Sequence, residues 1–204
     1  MTLDRQSLLG AIERLAAAME RDFDMLNSAD GALGDGDLGV TMTRGMRLVS
    51  EKAAELPEDM GLALLQCAQA FTKSSGSSYG TLVATGLMAM AKVLKGESAV
   101  PAARVSELVA AALDQMQARG KAELGGKTVL DSLDAVVRAT AGLDDPDAIA
   151  AAAAAAVDKA LAEFRDRKAT VGRARIFAEK SVGMDDPGML AMNRIVKAIV
   201  DREG

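Results

Sequence analysis

A chain of 204 residues with a net charge of −5, 50% apolar residues and only 2% aromatics is long enough to bury a core without disulfides or structural metals. Its apolar share is mostly Ala, Leu, Val and Met, a balance that suits close helix packing better than sheets. The absence of histidine excludes imidazole acid–base chemistry and histidine metal sites, and the lone Cys67 excludes an internal disulfide or a cysteine metal cluster.

A metal in this chain must therefore be held by oxygen. One all-α domain over residues 1–204 is expected, built of antiparallel helices joined by short loops. The opening Met1-Thr2-Leu3-Asp4-Arg5 precedes no long apolar core, and the apolar run 148–157 falls short of the ~18 residues of a spanning helix. No membrane insertion and a cytoplasmic location are expected. An acidic balance without a long basic stripe argues against nucleic-acid binding.

Between residues 7 and 26 the apolar positions Leu8, Ile12, Leu15, Met19, Phe23 and Leu26 recur in steps of three and four, the period of one buried helix face. This predicts a helix over 7–26. Similar spacing predicts helices over about 40–56, where Pro57 stops the pattern, and over 59–71, 79–94, 101–116, 128–141, 146–164 and 189–200. The Ala-rich tract 148–156 reads as helix because alanine is the strongest helix former and Asp145-Pro146 supplies a start. No run of alternating β-branched residues is bounded by hairpin turns, so a βαβ layout is not expected. The Gly- and Ser-rich connections are 27–39, 72–80, 120–127 and 168–188, the natural places for chemistry on a helical scaffold.

The first of these connections holds Asp30, Asp35 and Asp37 among Gly31, Gly34, Gly36 and Gly39. Spacings of five and two do not place three carboxylates on one helical face, whereas a glycine-permitted loop can fold them toward one point. Converging carboxylates repel unless a cation neutralises them, and magnesium often takes a few carboxylates and completes its octahedron with nucleotide phosphates. The alternative is a solvated loop whose aspartates form turns and caps. A calcium EF-hand is a poor fit, because position twelve falls on Thr41 or Met46.

Residues 73–81, Lys-Ser-Ser-Gly-Ser-Ser-Tyr-Gly-Thr, lead into an apolar helix and read either as an anion cradle at a helix N-terminus, with Lys73 adding charge, or as a capped connector. Gly125-Gly126-Lys127-Thr128 looks like the end of a P-loop, but Lys121 stands where that motif needs glycine and no strand precedes it. Gly120 and Gly126 instead let the chain turn between helices close to a flat ligand. The connection 168–188 carries Gly172-Arg173-Ala174-Arg175, Glu179-Lys180-Ser181 and Asp185-Asp186-Pro187-Gly188. It reads as a solvated loop or, from its length, as a lid.

In this order the blocks Ala32-Leu33-Gly34-Asp35-Gly36-Asp37, Ser75-Gly76 with Tyr79-Gly80-Thr81, Gly126-Lys127-Thr128 with Leu130-Asp131, and Ser181-Val182-Gly183 with Asp186-Pro187-Gly188 resemble the L subunit, or L domain, of dihydroxyacetone kinases. The resemblance spans nearly the whole chain. It implies an antiparallel helical barrel with the nucleotide site in loops at one end. It implies that Asp30, Asp35 and Asp37 are the catalytic aspartates and hold two Mg2+ ions on the phosphates of ADP or ATP. On the nucleotide side it places Leu38, Gly39 and Thr41 after the acidic loop, Ser74, Ser75 and Gly76 near phosphates, and Gly120 and Val129 near the adenine. Lys180 takes the family's basic position, and Asp186, Pro187 and Gly188 close the site. Leu38, Lys73 and Met184 depart from the usual pattern, where His, Gly and His are common, and leave the acceptor open.

In the resembled kinases the sugar is held as a hemiaminal on a histidine of a separate K subunit, and this chain has no histidine. The expected function is the phosphoryl-transfer subunit of a small-ketose kinase acting with a K subunit. Its donor is either exchanging ATP or a bound ADP recharged by a phosphotransferase-system protein. A non-catalytic nucleotide-sensing regulator is the alternative, and a carrier of an apolar ligand, suggested by the many Met and Ala residues, is a third.

Overall fold

The computed structural model describes residues 2–74 and 77–201, except for the side chain of Ser74. Among these residues the chain forms α1 (Arg5–Arg21), α2 (Phe23–Leu33), α3 (Leu38–Lys52), α4 (Met60–Ser74), α5 (Ser78–Val93), α6 (Val105–Gly120), α7 (Val129–Thr140), α8 (Pro146–Arg165) and α9 (Pro187–Val200). Two three-residue strands, β1 (Thr2–Asp4) and β2 (Ala99–Pro101), pair antiparallel with Leu3 opposite Val100. They are too short for an alternating pattern to announce them. No helix among the described residues is long and apolar enough to cross a membrane.

The helices close into a ring. Walking around it, α1 packs on α3, α3 on α4, α4 on α5, and so through α6, α7 and α8 to α9, which returns to α1. Short connections make each neighbour antiparallel, as expected. The seam is sealed by Arg14, whose Nε and Nη2 donate to the carbonyls of Ala198 and Ile199 at 3.0 and 2.9 Å. These belong to the last turn of α9, where carbonyls have no intrahelical partner.

Inside the ring, Ile12, Met19, Leu26, Met42, Met46 and Phe71 form the largest buried cluster. The Ala-rich α8 is a helix for the reason its composition implies, and it buries Ile149, Ala153, Val157 and Ala160 at steps of three and four. Small residues also let helices touch directly. A Cβ on Gly61 of α4 would lie 2.6 Å from the Ala91 carbonyl oxygen of α5, closer than atoms pack.

The expected helix over 7–26 is two helices. Asp22 ends α1 and begins α2, with its amide bonded to the Ala18 carbonyl and its own carbonyl accepting from Leu26. Its nearly buried carboxylate is held by Arg21 Nε at 3.1 Å. The carboxylate is turned to Arg21 and makes no cap bond to α2, and the apolar period survives because Leu26 is still buried. The second difference is that residues 27–39 are not all loop. α2 runs through Asp30 to Leu33, α3 starts at Leu38, and only residues 34–37 connect them.

Candidate nucleotide and metal site

In an up-and-down ring, alternate helices begin at the same end. α3, α5, α7 and α9 all start beside one cleft of about 490 Å3, lined at their first residues or caps by Leu38, Ser77, Thr128, Val129, Asp186 and Pro187. The positive ends of four helix dipoles therefore face a common space, which favours an anion there.

The three aspartates stand at this same rim, with Asp37 itself the cap residue of α3. Asp30 sits in the last turn of α2, while Asp35 and Asp37 sit in the connection to α3, and one oxygen from each lies within 4.8 Å of the others. Convergence thus needs a helix end and a sharp turn together, not a free loop. The turn is bought by Gly34, where a Cβ would run into the Asp30 carboxylate, and by Gly36 with φ +77°. Asp30 is fixed by the Asp37 amide, which donates to its Oδ2 at 2.9 Å. Asn27 Oδ1 accepts from the amides of Gly39 and Val40 at 2.8 and 3.3 Å, capping α3 from α2. Burial raises the Asp30 pKa, and the Asp35 and Asp37 charges add to the rise against the hydrogen bonds from the Asp37 and Gly36 amides. The set is short of positive charge, and Arg173 supplies some by pairing with Asp35.

At the starts of α7 and α9 the polar groups are saturated. Asp131 accepts from the amides of Thr128 at 2.8 Å and Gly125 at 2.5 Å, completing a capping box with Thr128 at the start of α7. Asp186 caps α9 by accepting from Met189 N at 2.8 Å. Burial pushes its pKa up to about 7, against the hydrogen bonds from Met189 and Gly188 and the charge of Lys127. Tyr79 donates from its hydroxyl to the Gly188 carbonyl at 3.2 Å, joining α5 to α9; its buried phenol is pushed well above the ordinary tyrosine range. Leu82, Met116, Ala122, Val129 and Val171 supply an apolar stretch beside Gly120, suited to a flat ring.

Of the residues singled out from sequence, Asp30, Asp35, Asp37, Leu38, Gly120, Val129, Asp186, Pro187 and Gly188 all line this cleft. Gly39 and Thr41 do not. Gly39 is pressed against the Phe23 carbonyl and Asn27, and Thr41 is buried one turn into α3. Lys180 is exposed and donates to the Ala32 carbonyl at 3.0 Å, outside the lining. Ser75 and Gly76 lie outside the described residues, as does the side chain of Ser74. Lys73 is exposed in the last turn of α4. Arg119 also lines the cleft and carries no signal in the sequence, whereas Arg173 and Ser77, which line it too, lie in the connections that read as a solvated loop or a lid and as an anion cradle or a capped connector.

The donor set fits a hard divalent cation: carboxylate oxygens alone, converging, and incompletely neutralised. The cleft volume is within the ~300–1,000 Å3 of small-molecule sites.

Residues 32–201 match the family model described as the DAK2 domain. The chain belongs to the DAK2 domain family. It is 28% identical, over all of this chain and 99% of the relative, to the PEP-dependent dihydroxyacetone kinase 1, ADP-binding subunit DhaL, of Listeria innocua. It is also 28% identical to the corresponding DhaL subunit of Escherichia coli, over 92% of each chain. An L-erythrulose kinase of Pectobacterium atrosepticum is 32% identical over 85% of this chain, which spans 31% of that protein. The fold matches that of the dihydroxyacetone kinase from C. freundii, solved in complex with AMP-PNP and Mg2+, at TM-score 0.77 and 22% identity. That match covers all of this chain and 35% of the other.

Proposed function

We propose that this DAK2 chain is the nucleotide- and magnesium-binding phosphoryl-transfer subunit of a small-ketose kinase and works with a separate substrate-binding K subunit. The observation that carries this is the sharing of one cleft by three converging carboxylates and the starts of four helices. The N-termini attract a polyphosphate and the carboxylates attract the cations that accompany it. Bound magnesium supplies the charge neutralisation that phosphoryl transfer needs.

The chain's own residues do the positioning. Asp30, Asp35 and Asp37 hold the cation side, the starts of α5 and α9 face the phosphates, and the apolar stretch by Gly120 and Val129 takes the adenine. Arg173, now on Asp35, is within the same cleft to balance phosphate charge. The chain has no histidine to hold a ketose, which supports presentation of the sugar by the partner. Near-complete coverage of ADP-binding subunits supports bound ADP recharged by a phosphotransferase-system donor over exchanging ATP. The L-erythrulose kinase relative keeps a ketotetrose beside dihydroxyacetone as acceptor. The proposal includes a cytoplasmic location.

The test is calorimetry of ADP and ATP with magnesium and then with excess chelator, followed by product formation with a K-type subunit, a phosphoryl donor and small ketoses. Binding that survives chelation overturns the metal site. Metal-dependent binding without turnover under every partner and donor combination favours a nucleotide sensor.

A further inference from the structure

Lys127 is the only lysine among the described residues buried to 1% exposure, and it makes no ion pair among those found. Its ammonium instead donates to three backbone carbonyls: Arg165 at 2.8 Å, Arg167 at 2.9 Å and Ser181 at 2.6 Å. All three donors of the group are thus used. The first two carbonyls lie at the C-terminal end of α8, where the helix dipole is negative, and the third ends the 3₁₀ segment Arg173–Ser181. Burial lowers the Lys127 pKa, while Asp186, Asp185 and Asp166 oppose that.

These carbonyls are the two ends of one excursion of the chain. Between them, residues 168–180 run from beyond the end of α8 into the 3₁₀ segment, placing Val171, Gly172, Arg173 and Ala174 in the wall of the cleft. Further bonds sit at the same closure: Gly183 N to the Arg165 carbonyl at 2.9 Å, Thr170 N to the Gly126 carbonyl at 3.2 Å, and Ala169 N to Ser181 Oγ at 2.9 Å. Beyond them the excursion rests on a small satellite core of Leu33, Ala169 and Ala174, with Phe177 and Met184. Lys127 itself has φ +61°, a left-handed conformation that disfavours any residue with a Cβ. The backbone there favours glycine; the lysine is retained where its ammonium satisfies three carbonyls.

We infer that Lys127 is a positioning residue whose buried ammonium clasps both ends of the segment 168–180 and so holds Arg173 and the Val171 wall over the nucleotide cleft. It touches no part of the cleft itself. The inference rests on reading that cleft as a nucleotide site, but the clasp has a test of its own.

The experiment is hydrogen exchange by mass spectrometry on the full chain, with Mg–ADP binding kinetics measured in parallel, for wild type, Lys127→Met and Ser181→Ala. Methionine keeps the length of the side chain and removes its donors. Amides of 168–183 should exchange at least about tenfold faster in Lys127→Met, as expected for losing charge-assisted bonds that close a local unit. The helices of the main core should keep their protection, and Mg–ADP should dissociate faster by a similar factor. Ser181→Ala loosens one end of the excursion while leaving Lys127 in place, and should show the same local pattern to a smaller degree. If Lys127→Met does not fold, Lys127→Gln, which keeps a neutral donor group and loses the charge, takes its place and should show the same local pattern. Uniform loss of protection around the ring in the folded variants would make Lys127 a general core residue and overturn the inference. Local loosening with unchanged Mg–ADP kinetics would overturn it too. A wild type that does not bind Mg–ADP refutes the nucleotide reading separately, and the exchange pattern alone then decides the clasp.

Discussion

Two sets of aspartates, one lining the cleft and one at the helix starts beside it, are treated oppositely by the fold. Asp30, Asp35 and Asp37 line the cleft, while Asp186 lines it from the cap of α9 and Asp131 sits behind Thr128 and Leu130. Asp131 and Asp186 are nearly buried, and each receives backbone amides at a helix start. Asp30, Asp35 and Asp37 are half-buried or exposed and crowd within 4.8 Å, with the Asp37 amide on Asp30 and Arg173 on Asp35 as their main compensation. A carboxylate that serves folding is saturated by donors that belong to the chain. One that serves a ligand is left with lone pairs and negative charge to spare, and folding tolerates the repulsion because water remains close.

The sharpest way to break this contrast is to neutralise one member of each set. Asp35→Asn or Asp37→Asn should weaken Mg–ADP binding by at least about 10–100-fold, the range already seen for groups that only orient metal ligands, with unfolding temperature equal to or above that of wild type. Asp131→Ala should do the reverse to stability, costing about 2 kcal/mol in denaturant titration through loss of a cap and a charged hydrogen bond. If the Asp35 variant loses stability like the Asp131 variant, the two sets do not differ in kind.

A somewhat smaller effect is expected from pH. The folded-state pKa of Asp186 lies at about 7, above the ~3.9 of an unfolded chain, so the folded state holds its proton over the interval between them. Stability from this carboxyl is full below about 4 and is lost as pH rises toward 7. In metal-free buffer the unfolding temperature should therefore fall between pH 5 and 7.5. Asp186→Asn should flatten that slope without abolishing it, since Asp30 is shifted in the same direction. A slope unchanged in the variant would show that Asp186 is ionised throughout. The smallest effect is expected at Lys180, whose exposed ammonium meets a single carbonyl. Lys180→Ala should change stability by under about 0.5 kcal/mol and Mg–ADP affinity by less than about threefold.

Much of this was legible in the sequence because it is written in local rules. The helices follow from apolar period and caps, and the acidic cluster from spacing and glycines. What escaped depends on contacts far along the chain. The break at Asp22 is invisible to periodicity, because the buried face continues past it. Spacing and glycines alone put Asp30 in a loop, although α2 reaches Leu33 and the turn at Gly34 brings Asp35 and Asp37 round to its carboxylate. Arg173 sat in a mixed-charge stretch that resembles any solvated loop, and its meaning appears only when residue 173 lies beside residue 35. Lys127 looked like a failed phosphate-binding motif; its partners are 38 to 54 residues away.

The seam between α1 and α9 has one further consequence. Because α9 starts at the cleft and runs away from it, and α1 runs toward it, the start of α1 and the end of α9 both lie at the end away from the cleft, with Arg14 midway along α1 reaching Ala198. The connections 53–59, 94–104 and 141–145 open at that same end and contribute nothing to the cleft lining. The barrel is thus divided into a working face and a mounting face: a tether, tag or neighbouring domain attached at residue 2 or 201 would leave the cleft free to meet a second protein.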